Sequence, residues 1–282
     1  MPGVLQLNHI RKLLDDDSEV VREAVQRELT GMRRELPDYL DMLDNPLTAE
    51  EEHLVAELLE PARRIEMEEI WMRWRWLDGE CAQLEEGLSQ LSAFLNGWKT
   101  QPADLCHQLD QLARKAFDEC GRMSAHELAE WLFSPAANHG SARFRGNSKD
   151  YYSVNNSNLF WVLETGLGNP ISLCCLFRLL GQRFGIEIGG CNFPGHYLAR
   201  VNHEDTLWLV DCFNRGRFML AEDVSKHHPA ANPAMEDLIL EAATPNGTLL
   251  RILRNLDEAY TRLNAFTERQ FMRRLAVKLM DG

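Results

Sequence analysis

The dipeptide Asn169-Pro170 constrains this chain more than any other feature, because it fixes where a long apolar segment must begin as a helix. Asn is a good N-cap, and Pro fits the first turn, where the missing N–H has no helical partner to lose. The spacing predicts a helix from Pro170 to Phe184, with its apolar run from 171 to 177 ended by Arg178. Alternating or apolar segments follow at Ile186 to Phe193, His196 to Val201 and Leu207 to Phe213, which read as an antiparallel sheet packed on that helix. The expected class is α+β, mostly helical, with a small antiparallel sheet.

A helix start, then His196 at the opening of a strand, then Asp211 at the close of the next is the order in which a cysteine-nucleophile site is assembled. A nucleophilic cysteine belongs at the helix N-terminus, where the macrodipole favours the thiolate. Here that place is held by Pro170 and Ile171, and Cys174 and Cys175 come a turn later. Cys174 lies on the face of Pro170, about 6 Å further along the axis. It reads either as a displaced nucleophile or as a small core residue. Ser172 is nearer the helix end, but a serine there commonly bonds its own backbone. A hairpin centred between His203 and Glu204 would put His196 directly opposite Asp211 as an orienting pair, and a one-residue slip would separate them.

The first 135 residues read as helix after helix. Leu7, Ile10, Leu13 and Leu14 form one stripe, and Val21, Val25 and Leu29 form the next beyond a cap at Asp17 or Ser18. With the joint from Leu14 to Arg22, this pair resembles one unit of a HEAT-type repeat, without a second copy. Trp71, Trp74 and Trp76 read as core aromatics, and Ser124 with Glu127 reads as a capping box. From Ser134 the chain turns polar, with Tyr151-Tyr152 and Asn155-Asn156-Ser157-Asn158, as far as a short helix from Leu159 to Gly166. After a Pro-rich loop near 229 to 233, Leu249 to Met280 returns to helix with a break at Asn264, a helical hairpin.

Charge narrows the partners. Residues 1–140 hold fourteen Lys and Arg against twenty-eight Asp and Glu, whereas residues 141–282 hold sixteen against fifteen. An acidic first half repels phosphates and anionic lipid, so neither nucleic acid nor a membrane is an expected partner. No segment is both long and apolar enough to span a bilayer, and Met1 to Asp17 lacks a secretory core, so a cytoplasmic location is expected. The seven cysteines show no Cys-x-x-Cys pair and read as reduced thiols. His227 and His228 are adjacent in the Pro-rich loop and read as solvated residues. No metal and no cofactor is expected.

Phe144-x-Gly146-Asn147, Tyr151-Tyr152, Asn156-Ser157-x-Leu159, Val162-Leu163-Glu164, Gly168-x-Pro170-Ile171-Ser172-Leu173, Gly185, Asn192-Phe193-Pro194-Gly195-His196 and Asp211-x-Phe213-Asn214-x-Gly216 occur in that order. Together they resemble the transglutaminase-like bacterial proteins of the SirB type over residues 105 to 217. The tail Leu250-Arg251-x-Leu253-Arg254-Asn255-Leu256 resembles that family's arginine-rich helix and the start of its TPR-like hairpin. The resemblance implies a transglutaminase or cysteine-protease-like core at 105–235, after a helical region at 1–104 and before a short hairpin at 236–282. Many members of the family lack the classical cysteine. The expected role is therefore a non-catalytic regulatory protein that binds a peptide or protein. The rival is a cysteine-dependent amide hydrolase or acyltransferase using Cys174, His196 and Asp211. Tyr152, Asn156, Ser157 and Ser172 are the candidate binding residues beside His196.

Overall fold

The computed structural model describes residues 2–138, 140–227 and 233–281. The chain forms two compact units, one of Met1–Ile70 with Asn96–Gln101 and the other of Trp71–Leu95 with Pro102–Gly282.

The first unit holds α1 (Pro2–Arg11), α2 (Glu19–Gly31), α3 (Leu36–Asp41) and α4 (Ala49–Ile70). Leu7, Ile10, Leu14, Val25, Leu29, Leu36, Val55 and Leu59 fill its core together with Trp98. Leu13 is exposed instead of lying on the stripe with its neighbours, because α1 ends at Arg11 and the chain turns there. On its surface, Arg11 forks onto the Glu51 carboxylate and holds that group's pKa down at about 2.

The second unit holds α5 (Glu80–Asn96), α6 (Pro102–Cys120), α7 (Ala125–Phe133), α8 (Leu159–Thr165), α9 (Pro170–Arg183), α10 (Ala221–His227), α11 (Pro233–Leu240), α12 (Pro245–Arg262) and α13 (Phe266–Asp281). Local chemistry starts and stops these helices as expected. Ser124 and Glu127 form the capping box of α7. Asn169 caps α9 reciprocally with Ser172, and Gly166 ends α8 at φ 71°. Asn264, at φ 55°, breaks α12 from α13. Helix α9 is apolar on nearly every side and is buried against α6, α7, α8 and the sheet. Its C-terminal Arg183 reaches out to pair with Glu85 of α5 and Asp110 of α6 at 2.7–2.8 Å.

Four strands, β3 (Gly189–Cys191), β4 (Leu198–His203), β5 (Thr206–Asp211) and β6 (Arg217–Leu220), form an antiparallel sheet in that order. Upstream, β1 (Arg145–Gly146) and β2 (Leu167–Gly168) make a short parallel pair inside the polar connection. Neither that pair nor β6 was legible in the hydrophobic pattern. The expected strands shorten or shift: β3 keeps three of the residues between Ile186 and Phe193, β4 starts two residues after His196 and runs on to His203, and β5 ends at Asp211 instead of Phe213.

The hairpin register differs from expectation. His203 pairs with Thr206 and Ala199 with Val210, around a two-residue turn in which Glu204 and Asp205 adopt φ 48° and 59°. Such a turn matches strand twist, and it moves every pairing by one step on each strand. Asp211 is therefore not the direct partner of position 196.

Trp71 and Trp74 are core residues, but Trp76 is 88% exposed, because the helix gives way to a single 3-10 turn at Arg73–Trp76. Trp71 Nε1 donates to Leu275 O at 3.1 Å, tying this turn to α13. His227 ends α10 instead of lying in a loop, and Pro233 begins α11. His228 and residues 229–232 lie outside the described residues. Among the described residues no helix is long and apolar enough to cross a membrane.

Candidate functional site

His196 stands in the turn between β3 and β4, and Asp211 is the last residue of β5. His196 Nε2 donates to the Asp211 carboxylate Oδ1 at 2.9 Å. Asp211 also accepts from Asn214 N at 3.1 Å and from Asn214 Nδ2 at 2.8 Å. Burial pushes the Asp211 carboxyl up, but the hydrogen bonds from His196 and Asn214 outweigh it and hold the pKa below the usual carboxylate value. The imidazole meets Phe213 edge-on at a centroid distance of 6.1 Å, and Arg251 of α12 donates to the His196 carbonyl at 2.6 Å. Phe213 in turn sits against Gly146, where a Cβ would come within 2.6 Å of the ring, so position 146 has to be glycine for this aromatic to stand beside the histidine.

Cys174 is close to this pair but closed off from solvent. Its thiol is fully buried and donates to Tyr197 O at 3.5 Å. Burial, then contact with Cys212, then the charge of Asp211 raise its pKa well above the ordinary thiol value. Cys175 is pushed up to about 12 by burial. The helix end is no better placed, since Asn169, Pro170, Ile171 and Ser172 are all buried. Ser172 Oγ accepts from Asn169 N and donates to Asn169 O, which completes the cap. Among the described residues, no thiol or hydroxyl of the first two turns of α9 is thus exposed at its mouth.

Asn156 and Ser157 lie beneath the polar connection. Asn156 Oδ1 accepts from Asn147 Nδ2 at 2.9 Å, while its Nδ2 donates to the Asp150 and Tyr151 carbonyls at 2.7 and 3.0 Å. Ser157 Oγ accepts from Asn169 Nδ2 at 3.1 Å. These groups bind the loop to the start of α9. Tyr152 is exposed, with the Arg262 guanidinium 3.6 Å from its ring centroid. Of three further residues that carry the site, Arg251 stood in the tail motif without a role there, and Thr248 and Met219 gave no signal in the sequence. Thr248 bonds the Tyr197 hydroxyl at 2.9 Å, Arg251 holds the His196 carbonyl, and Met219 lies in the cleft beside the pair. A partner chosen across the fold, as Thr248 is, leaves no local pattern.

That cleft has a volume of about 630 Å³. Its walls are Phe193, Leu198, Trp208, Met219 and Val224, with His196, Asp211, Arg217 and Asp223 as the charged or polar groups. All four residues of β6 line it, and β6 is an edge of the sheet. An edge strand beside an apolar trough can accept an extended chain by backbone pairing, with side chains entering the trough. Among the described residues no group of three or more His, Cys, Asp and Glu could hold a metal ion.

Residues 103–254 match the family model of the transglutaminase-like superfamily. A UPF0162 protein of Xylella fastidiosa is 32% identical over 190 residues, covering 64% of this chain and 68% of that protein. A UPF0162 protein of Pseudomonas aeruginosa is 28% identical over 166 residues, 57% of this chain and 58% of its own length. Human F-box only protein 21 is 28% identical over 102 residues, 32% of this chain but 16% of that protein. No solved structure matches the chain.

Proposed function

Because the chain belongs to the transglutaminase-like superfamily, we propose that it is a non-catalytic, SirB-type member that binds an extended peptide or protein segment along β6, beside His196 and Asp211. The burial of the Cys174 thiol carries this reading. A nucleophile needs both a thiolate and a path to the substrate, and Cys174 has neither, with its sulfur covered and its pKa raised. The His–Asp pair then remains as a polar end to an apolar trough. Tyr152 and His196 would meet the partner, whereas Asn156, Ser157 and Ser172 shape the loop beneath it.

The test is a peptide selection against the full chain, followed by fluorescence anisotropy on the selected peptide. His196→Ala and Met219→Arg should each weaken binding roughly tenfold, the scale of one lost charged or well-packed contact, when binding is measured well below each variant's own melting transition. Cys174→Ala should leave binding intact. Turnover of a peptide amide that disappears in Cys174→Ala would overturn this reading and restore the cysteine-dependent hydrolase or acyltransferase.

A further inference from the structure

The surface next to the His196 cleft carries a charge opposite to that of the chain as a whole. Three segments meet there. Phe213, in the turn after β5, sits against Gly146 and meets the Tyr151 ring edge-on at 5.8 Å. The connection that holds Gly146 and Tyr151 packs on α12, where Arg262 covers the Tyr152 ring. These segments, residues 145–158, 213–217 and 245–262, hold seven Lys and Arg against three Asp and Glu, in a chain of net charge −13. Two of the three carboxylates are engaged: Asp257 with Arg269 and Arg273 of α13 at 3.2 and 2.6 Å, and Glu258 with Arg262 at 2.9 Å. Arg145, Lys149, Arg215, Arg217 and Arg254 are exposed, and none has a carboxylate within ion-pair distance among the described residues.

Aromatic rings share this surface with the cations. Tyr151 and Tyr152 are 40% and 48% exposed and meet edge-on at 5.1 Å. Tyr and Arg are among the side chains that most often anchor protein interfaces. A single-stranded nucleic acid needs ring faces left open for its bases to stack on. Here the rings cross at 80° and 73°, and Arg262 occupies a face of Tyr152. The acidic first half of the chain also repels a long polyanion. Deepening the peptide reading on which it rests, we infer that the partner is an acidic segment, which passes from its anchor on β6 over Phe213 and the tyrosine pair with its carboxylates among these arginines and Lys149. Exposed charges attract by number more than by order. This flank is therefore chosen by composition and tolerates many sequences.

A fluorescein-labelled dodecapeptide repeating Gly-Leu-Glu, its Gly-Leu-Gln counterpart and a dodecauridylate are titrated into the full chain by fluorescence anisotropy. The glutamate peptide is expected to bind roughly tenfold tighter than the glutamine peptide, the scale of a few exposed ion pairs. That gap should close as salt rises from about 20 to about 500 mM. Lys149→Glu with Arg254→Glu should remove most of it. Arg114→Glu with Lys115→Glu, the same change of net charge on exposed residues of α6 outside the three segments, should leave it. Met219→Arg, in the β6 cleft, should weaken both peptides and keep the gap between them. A gap that persists while Met219→Arg has no effect would remove the β6 anchor and leave the acidic preference standing. Three results would overturn the acidic partner: equal affinity for the two peptides in the unmodified chain, dodecauridylate bound more tightly than the glutamate peptide, or sedimentation showing self-association that the Lys149 and Arg254 changes abolish, which would assign the surface to a second copy.

Discussion

His196 and Asp211 are joined at 2.9 Å although neither is the other's partner across the hairpin. The turn at Glu204-Asp205 sets the register, and the pair meets diagonally across it, with Asn214 holding the carboxylate from the other side. Since Asp211 is held below the usual aspartate pKa when folded, it contributes stability that is complete above the unfolded value, near 3.8, and is lost as pH falls through the folded one. Asp211→Asn should therefore lower the melting temperature at pH 7 and flatten its decline at acid pH. Thermal unfolding from pH 7 to pH 3 checks this, and parallel curves for both proteins would refute it.

Thiol reactivity should divide by burial. Cys106 and Cys120 are exposed, whereas Cys174, Cys175, Cys191 and Cys212 are buried. Iodoacetamide at neutral pH, read by peptide mass spectrometry, should modify the first two in the folded protein and the other four only on unfolding. Fast alkylation of Cys174 alone would contradict the structure around it.

Asn156 is predicted to be structural. It makes three hydrogen bonds from a fully buried amide, two of them to carbonyls that would lose a donor. Asn156→Ala should cost about 2–6 kcal/mol, at about 1–3 kcal/mol for each of the two carbonyls left without a donor. A double-mutant cycle with Asn147→Ala should show coupling, and denaturant unfolding supplies the numbers.

Gly166 ends α8 at φ 71°, with the Arg143 carbonyl where a Cβ would stand. Gly166→Ala meets both the left-handed backbone and that oxygen. A loss of about 1–3 kcal/mol is expected, measurable by the same denaturant method. A neutral effect would mean that the β1–β2 pair can shift without strain.

What was legible in the sequence was local. Asn169 with Pro170, Ser124 with Glu127, Gly166 and Asn264 each act within one turn of chain, and each stands where its chemistry put it. The hairpin register was not, because its turn uses Glu and Asp at positive φ, where Asn-Gly would have announced it. Strand β6 is four residues long and half-buried throughout Phe218–Leu220, which is too short and too even for a period to show. The burial of Asn156 was hidden for another reason: a polar loop reads as solvated until its partners across the fold are known. Trp76 erred the other way, since its helical spacing continued past the end of the helix.

The four residues of β6 offer an edge of roughly 13 Å at about 3.3 Å per residue. A docked segment could share no more than a couple of backbone hydrogen bonds with it before the chain turns into α10 at Ala221. Discrimination among sequences would then fall to one or two side chains seated between Met219 and His196. Such a reader would tolerate wide variation on either side of its anchor residue, while the same brevity leaves the sheet a poor template for uncontrolled strand-on-strand aggregation.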